Sequence, residues 1–285
     1  MNLVAAQIVN GLAIGMLYAV MALGLSIIKG LLNVPNFAHG ALFAVGAYVC
    51  YTLSTIGAPF AVALIGAFSG AALLGFLIER FGIANLTGGS YLLQVLFLFG
   101  TALVIEQILV LIYGTTGVSL VPPAMLGGAM DLGFMFLPRY LVFCALVGAF
   151  SIVAVWLLIE KTRIGSSIRA GIERREMVQC LGIDIGTLLT LGFALGAGMA
   201  GLAGGIALPL LGANATSGND MMAIAFVVLV LGGLGSLYGA VAAGILIGVA
   251  QSLTTLVAPS ASTLLIYVIM TVVLLIGPKG LFGER

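Results

Sequence analysis

Between Leu3 and Ile28 the chain carries no charged side chain, and apolar runs of this kind recur to its end. Such a run matches the ~20 residues that a helix needs to cross a ~30 Å hydrocarbon layer. Inside lipid, backbone N–H and C=O groups must be satisfied within the protein, so these runs read as helices. Composition supports the same conclusion. Of 285 residues, 62% are hydrophobic and 7% charged, against about 25% charged in a soluble domain. That is too little charge to solvate a globular surface. The expected fold class is all-α: a polytopic integral membrane protein. A net charge of +1 offers no basic face to nucleic acid. The cysteines Cys50, Cys144 and Cys180 are scattered, with neither metal-ligand spacing nor a disulfide framework.

Eight spans are expected: Leu3 to Ile28, Phe37 to Ile56, a third ending at Ile78, Tyr91 to Tyr113, Tyr140 to Ile159, Ile185 to Leu211, Leu237 to Val257 and Thr263 to Ile276. The shorter piece Met221 to Leu231 is a ninth crossing or a half-helix. The architecture is therefore eight to nine transmembrane helices with broken or short members, forming one domain over residues 1–285. Lys161, Arg163, Arg169, Arg174 and Arg175 fall in one loop, which the distribution of basic residues assigns to the cytoplasm. If the short piece crosses, the N-terminus is outside and the C-terminus inside. Glycines four residues apart (Gly11 and Gly15, Gly201 and Gly205, Gly244 and Gly248) place small stripes on single helix faces. Such stripes are read as helix-packing surfaces.

Three regions could carry function. The stretch NVPNFAHGALFAVGAY, Asn33 to Tyr48, breaks two apolar runs and holds the one histidine, His39. Pro35 is expected to end the preceding helix and Asn36 to cap the next. Gly40 would admit a second backbone. His39 is then a hydrogen-bonding strut, with gating as its alternative role. Glu106 is an isolated carboxylate within a span, which is costly unless paired or wet, and so a pathway candidate. It could instead cap a break in another helix or pair with Arg139. Glu160 to Asp184 is the strongly charged stretch. Ser166 or Ser167 could cap a short amphipathic helix there, Arg169 and Glu173 could pair at i,i+4, and Gly182 would stop it. Such a helix could anchor the loop or dock a soluble partner. The segment GGLGS, Gly232 to Ser236, interrupts the apolar run after the short piece. No phosphate-binding loop of the form G-x-x-x-x-G-K-[ST] occurs, so ATP chemistry is not expected in this chain.

RAGIERREMVQCLGIDI followed by LGFALGAGMAGLAGGI resembles the cytoplasmic coupling segment of permease subunits of ATP-binding-cassette importers. FVVLVLGGLGSLYGAVAAGILIG, NFAHGALFAVGAYV and the tail GPKGLFGER resemble the branched-chain amino acid (Liv-type) permease family, in the same order and over nearly the whole chain. The resemblance implies a bacterial inner-membrane subunit working by alternating access, with residues 160–184 as a cytoplasmic coupling loop. It implies a second homologous permease, two ATPase subunits that bind ATP and Mg, and a periplasmic binding protein. No cofactor is expected in the chain itself. Arg169, Glu173, Arg174, Arg175, Glu176 and Gly182 would lie at the ATPase contact. The usual Glu-Ala-Ala of the coupling motif is absent, since Met177 and Val178 follow Glu176. The implied substrates are branched-chain or other hydrophobic amino acids. Urea, amides or aromatic acids, carried by related permeases, are the alternative. A stand-alone secondary transporter would need matched broken helices in inverted repeats, and the two halves show no convincing similarity.

Overall fold

The computed structural model describes residues 2–86, 90–131, 136–173, 178, 180, 182–277 and 280–282. Its helices are α1 (Asn2–Leu32), α2 (His39–Thr55), α3 (Phe60–Ile78), α4 (Tyr91–Tyr113), α5 (Arg139–Lys161), α6 (Arg163–Glu173), α7 (Ile185–Leu211), α8 (Ser217–Gly232), α9 (Leu237–Val257) and α10 (Ser262–Ile276). Among the described residues, seven helices are long and apolar enough to cross a membrane: α1, α3, α4, α5, α7, α9 and α10. The second expected run forms the 17-residue α2. The short piece begins earlier than expected and forms the 16-residue α8. At a rise of 1.5 Å per residue, α8 is about 24 Å long, less than the hydrocarbon thickness. The connection between α4 and α5 carries a two-stranded antiparallel ribbon, β1 (Ala129–Asp131) and β2 (Phe136–Pro138).

Local chemistry sets the ends of these helices. Ser90, Asp184 and Ser236 accept hydrogen bonds from first-turn N–H groups of α4, α7 and α9. These satisfy donors that the helix itself leaves free. Gly114 and Gly212 end α4 and α7 with φ of 83° and 67°, a region open to glycine.

The chain divides into two compact units, Met1–Leu23 with Leu120–Ile152 and Ala223–Arg285, and Gly24–Ser119 with Val153–Met222. In the first unit, α1 and α9 meet along the glycine stripes expected from the sequence. A Cβ on Gly15 would lie 2.9 Å from the Gly244 carbonyl oxygen, and one on Gly248 2.3 Å from the Gly15 Cα. The break at GGLGS is also stabilised within this unit. Leu281 and Phe282 of the tail donate to the carbonyls of Leu231 and Gly232, at 2.8 and 3.2 Å, satisfying acceptors at the end of α8.

In the second unit α7 is the central element, packed against α2 and α3. A Cβ on Gly46 of α2 would lie 2.1 Å from the Gly201 carbonyl oxygen of α7, and one on Gly201 2.5 Å from the Ala67 carbonyl oxygen of α3. The end of α1 joins this packing, since a Cβ on Gly196 would lie 2.6 Å from the Gly24 carbonyl oxygen. Lipid supplies no hydrophobic drive between helices, so cohesion here comes from close van der Waals contact. Gly46→Ala and Gly201→Ala are each expected to destabilise the fold by about 1–3 kcal/mol through overpacking. Gly100→Ala on α4, where nothing lies within 4 Å, should be silent. The yield of protease-resistant, monodisperse protein from membranes measures the difference.

Candidate functional site

The break between α1 and α2 is built from local hydrogen bonds. Asn33 adopts φ of 57°, the one non-glycine residue with positive φ among those described. Its backbone N–H returns to the Lys29 carbonyl at 2.9 Å, and Lys29 Nζ donates to the Asn33 carbonyl and Oδ1 at 2.8 and 2.7 Å. An asparagine in the left-handed conformation therefore ends α1, and Pro35 follows where the helix has already stopped. Asn36 does not cap α2 as the sequence suggested. Its Oδ1 accepts from the Ala38 N–H at 3.0 Å, an Asx-turn, and Ala38 stands at the N-cap without a side-chain bond. The asparagine side chain reaches its own backbone two residues on before it can reach the first turn. Asn36 and His39 are both fully buried. The His39 Cε1 sits 3.2 Å from the position that a Cβ on Gly24 would occupy, so the ring fills space beside the close approach of α1 and α7.

Two helix starts meet at this point. A Cβ on Gly40 would lie 2.2 Å from the Gly218 carbonyl oxygen, and one on Gly218 2.2 Å from the Gly40 carbonyl oxygen. The first turns of α2 and α8 are thus in backbone contact. Asn219, the next residue along α8, donates its Nδ2 to Glu106 Oε2 of α4 at 3.2 Å. The three candidates for pathway or gate, Asn36, His39 and Glu106, therefore belong to one connected set of elements. A carboxylate beside the first turn of α8 is also favoured by the helix dipole.

Between Glu160 and Asp184 the described residues are bonded at both ends. Thr162, not Ser166 or Ser167, caps α6: its Oγ1 accepts from the Gly165 N–H at 3.1 Å. Both serines lie inside the helix and donate back to the Arg163 carbonyl, because α6 begins one turn earlier than the spacing suggested. Arg169 pairs with Glu160 at 3.2 Å and donates to the Ile159 carbonyl. Its guanidinium thus binds the end of α5, where free carbonyls and the dipole favour a cation. The expected partner, Glu173, has its side chain outside the described residues, as do Arg174, Arg175 and Glu176 entirely. Gly182 behaves as expected. Its φ is 76°, and the next N–H, of Ile183, returns to the Val178 carbonyl at 3.3 Å, the six-to-one bond of a Schellman ending. Asp184 then starts α7, accepting from the Gly186 N–H at 2.9 Å and the Thr187 hydroxyl at 2.6 Å.

Two features escaped the sequence reading. By its apolar run the third span ends at Ile78, just before Glu79 and Arg80. Instead, the helix continues through a π turn, Glu79–Ile83, to Leu86, and Glu79 is 1% exposed. Its Oε2 accepts from the Thr190 hydroxyl of α7. The available signal was the return to apolar residues, Phe81 to Ala84, after Arg80. The second feature is a cleft of about 230 Å³ lined by residues including Ser119, Asn214 and Ser217. There the chain leaving α4 pairs with the chain leaving α7, through Val118 and Ala213 at 2.7 and 2.8 Å. Nothing local in either loop marks that pairing.

A family profile described as branched-chain amino acid transport system, permease component, matches residues 7–275. The chain belongs to this permease family. It is 26% identical over 98% of its length to the high-affinity branched-chain amino acid transport system permease protein BraD of Pseudomonas aeruginosa, covering 95% of that protein. It is 28% identical, with the same two coverages, to LivH of Escherichia coli strain K12, which bears the same description. A probable LivH of Methanocaldococcus jannaschii is 31% identical over 94% of this chain and 89% of its own. No solved structure matches. The chain is thus a multi-pass membrane permease, and the resemblance read from its motifs holds.

The first turn of α7 gives this permease a titratable cap. The Thr187 hydroxyl, with the backbone N–H groups of Thr187 and Gly186 and the charge of Arg80, holds the Asp184 carboxyl below its ordinary value. A depressed folded-state pKa contributes stability above the unfolded pKa, and that contribution is lost as pH falls through the folded value. Asp184→Asn can still cap but does not titrate. The difference in Tm between wild type and this variant should therefore be constant near neutral pH and shift as pH falls through the carboxylate range. Thermal unfolding of detergent-solubilised protein across pH reads it directly.

Proposed function

We propose that this permease is the membrane-spanning subunit of an ATP-driven importer of the ATP-binding-cassette type, carrying branched-chain or other hydrophobic amino acids by alternating access. The observation that carries this reading is the segment joining α5 to α7. It is capped at Thr162, clamped through Arg169 to the end of α5 and closed at Gly182. A connector that only had to link two spans would not need three separate locks. A short rigid helix suits insertion into a cleft of a partner ATPase, and closure of that partner on ATP would move the segment and the helices attached to it.

In this reading the whole chain, residues 1–285, works as one permease domain in a bacterial inner membrane, with the coupling segment on the cytoplasmic side. Arg169, Glu173, Arg174, Arg175, Glu176 and Gly182 form or shape the ATPase contact. The partners are a second homologous permease, two ATPase subunits that hold ATP and Mg, and a periplasmic binding protein. The substrate class rests on the relatives' descriptions, and the scarcity of polar side chains available to line a path agrees with an apolar solute. Asn36, His39 and Glu106, gathered where α2 and α8 begin, are the gate candidates.

Arg174→Ala with Arg175→Ala should abolish stimulation of the partner ATPase while leaving membrane insertion intact. Uptake of radiolabelled leucine into proteoliposomes, with and without the ATPase subunits, tests the larger reading. Uptake by the permease alone would refute it.

A further inference from the structure

We propose that Glu79 is a positioning residue, whose bond to Thr190 fixes the axial register of α3 against α7. Displacement of the coupling segment is then carried into α3 and not lost in sliding. The inference rests on reading residues 160–184 as that segment. The segment feeds into α7 at Asp184, and Thr190 lies under two turns further along the same helix. Thr190 is 3% exposed and Glu79 1%, so the bond between them is shielded from water.

The surface around this bond explains why a latch is needed. Much of the contact between α3 and α7 is small, with Ala67, Ala71 and Gly75 on one helix and Ala197 and Gly201 on the other, and the large side chains that enter it, Phe68 and Phe193, lie against Gly198 and Gly75. Apolar contact of this kind is close but not directional, and a bond of fixed geometry adds register to it. A hydrogen bond to a carboxylate is directional and does not survive a shift of one turn. A buried carboxylate is also costly where an apolar residue would pack, so its presence at this contact requires a reason beyond cohesion. The local backbone fits that reason. Glu79 opens a π turn, a helix irregularity found often at functional sites, and Gly82 of the same turn lies against the Phe97 ring of α4. The carboxylate is thus presented by a deformed turn held from both sides.

Two measurements test the proposal on different footings. Spin labels at Leu77 of α3 and Leu191 of α7, both exposed, report register in the permease itself. Wild type, Glu79→Gln and Thr190→Ser, which retain an acceptor and a donor, should give one narrow distance distribution. Thr190→Val should broaden or shift it. An unchanged distribution in Thr190→Val overturns the latch. In the complete transporter, Thr190→Val and Glu79→Leu should each lower leucine transported per ATP by about tenfold while ATP hydrolysis continues. The double variant should lose no more than the worse single one, and Glu79→Gln and Thr190→Ser should stay within about twofold of wild type. A wild-type transport-to-ATP ratio in Thr190→Val overturns the coupling role. Absence of ATP-driven uptake in wild type would instead strike the importer reading, and the distance measurement would still judge the latch.

Discussion

Close backbone approach along α7 is the constraint on which the second unit depends. In lipid, apolar side chains gain nothing by leaving the solvent, so helices are held by what their surfaces allow them to touch. Gly196, Gly201 and Gly204 let α1, α3 and α2 come within contact of the α7 backbone, respectively. A methyl group at any of these positions would overlap main-chain or side-chain atoms that cannot easily yield. The same principle repeats in the first unit, where Gly11 and Gly15 of α1 face Gly244 and Gly248 of α9.

Apolar contact, however close, leaves the polar groups to supply direction. They sit where helices start, stop or deform. Asn33 and Lys29 close α1, Asn36 shapes the turn that follows, Glu106 meets the first turn of α8, and Glu79 holds the π turn to α7. Asn36 and Glu79 would be costly in lipid and are fully buried against protein. The segment from Glu160 to Asp184 follows the same logic at the protein surface. Thr162 caps its helix, Arg169 binds the end of α5, and Gly182 takes the positive φ of a helix ending.

Much of this was legible in the sequence. Apolar run length located the spans, and Gly182 was recognisable as a helix stop because few other residues take positive φ without strain. The four-residue glycine spacing of Gly11 and Gly15, and of Gly244 and Gly248, named faces that do meet. The motifs around His39 and after Phe226 identified the family. Local competition was harder to read. Asn36 could cap a helix or bond its own turn, and Thr162, Ser166 and Ser167 were all plausible caps. Arg169 had a partner in Glu173 by spacing, and the folded chain gave it Glu160 and the end of α5.

By itself, the sequence determined the class of solvent, the helical content, most helix boundaries and the packing faces, because these depend on residues near one another along the chain. Only the tertiary structure decided that Glu79 lies buried against Thr190, that Glu106 reaches Asn219, and that Gly40 meets Gly218. Those contacts join residues separated by a hundred positions or more. No local periodicity encodes them. They follow from which helices the small-residue surfaces allow to approach, and that is settled only when the whole unit is assembled.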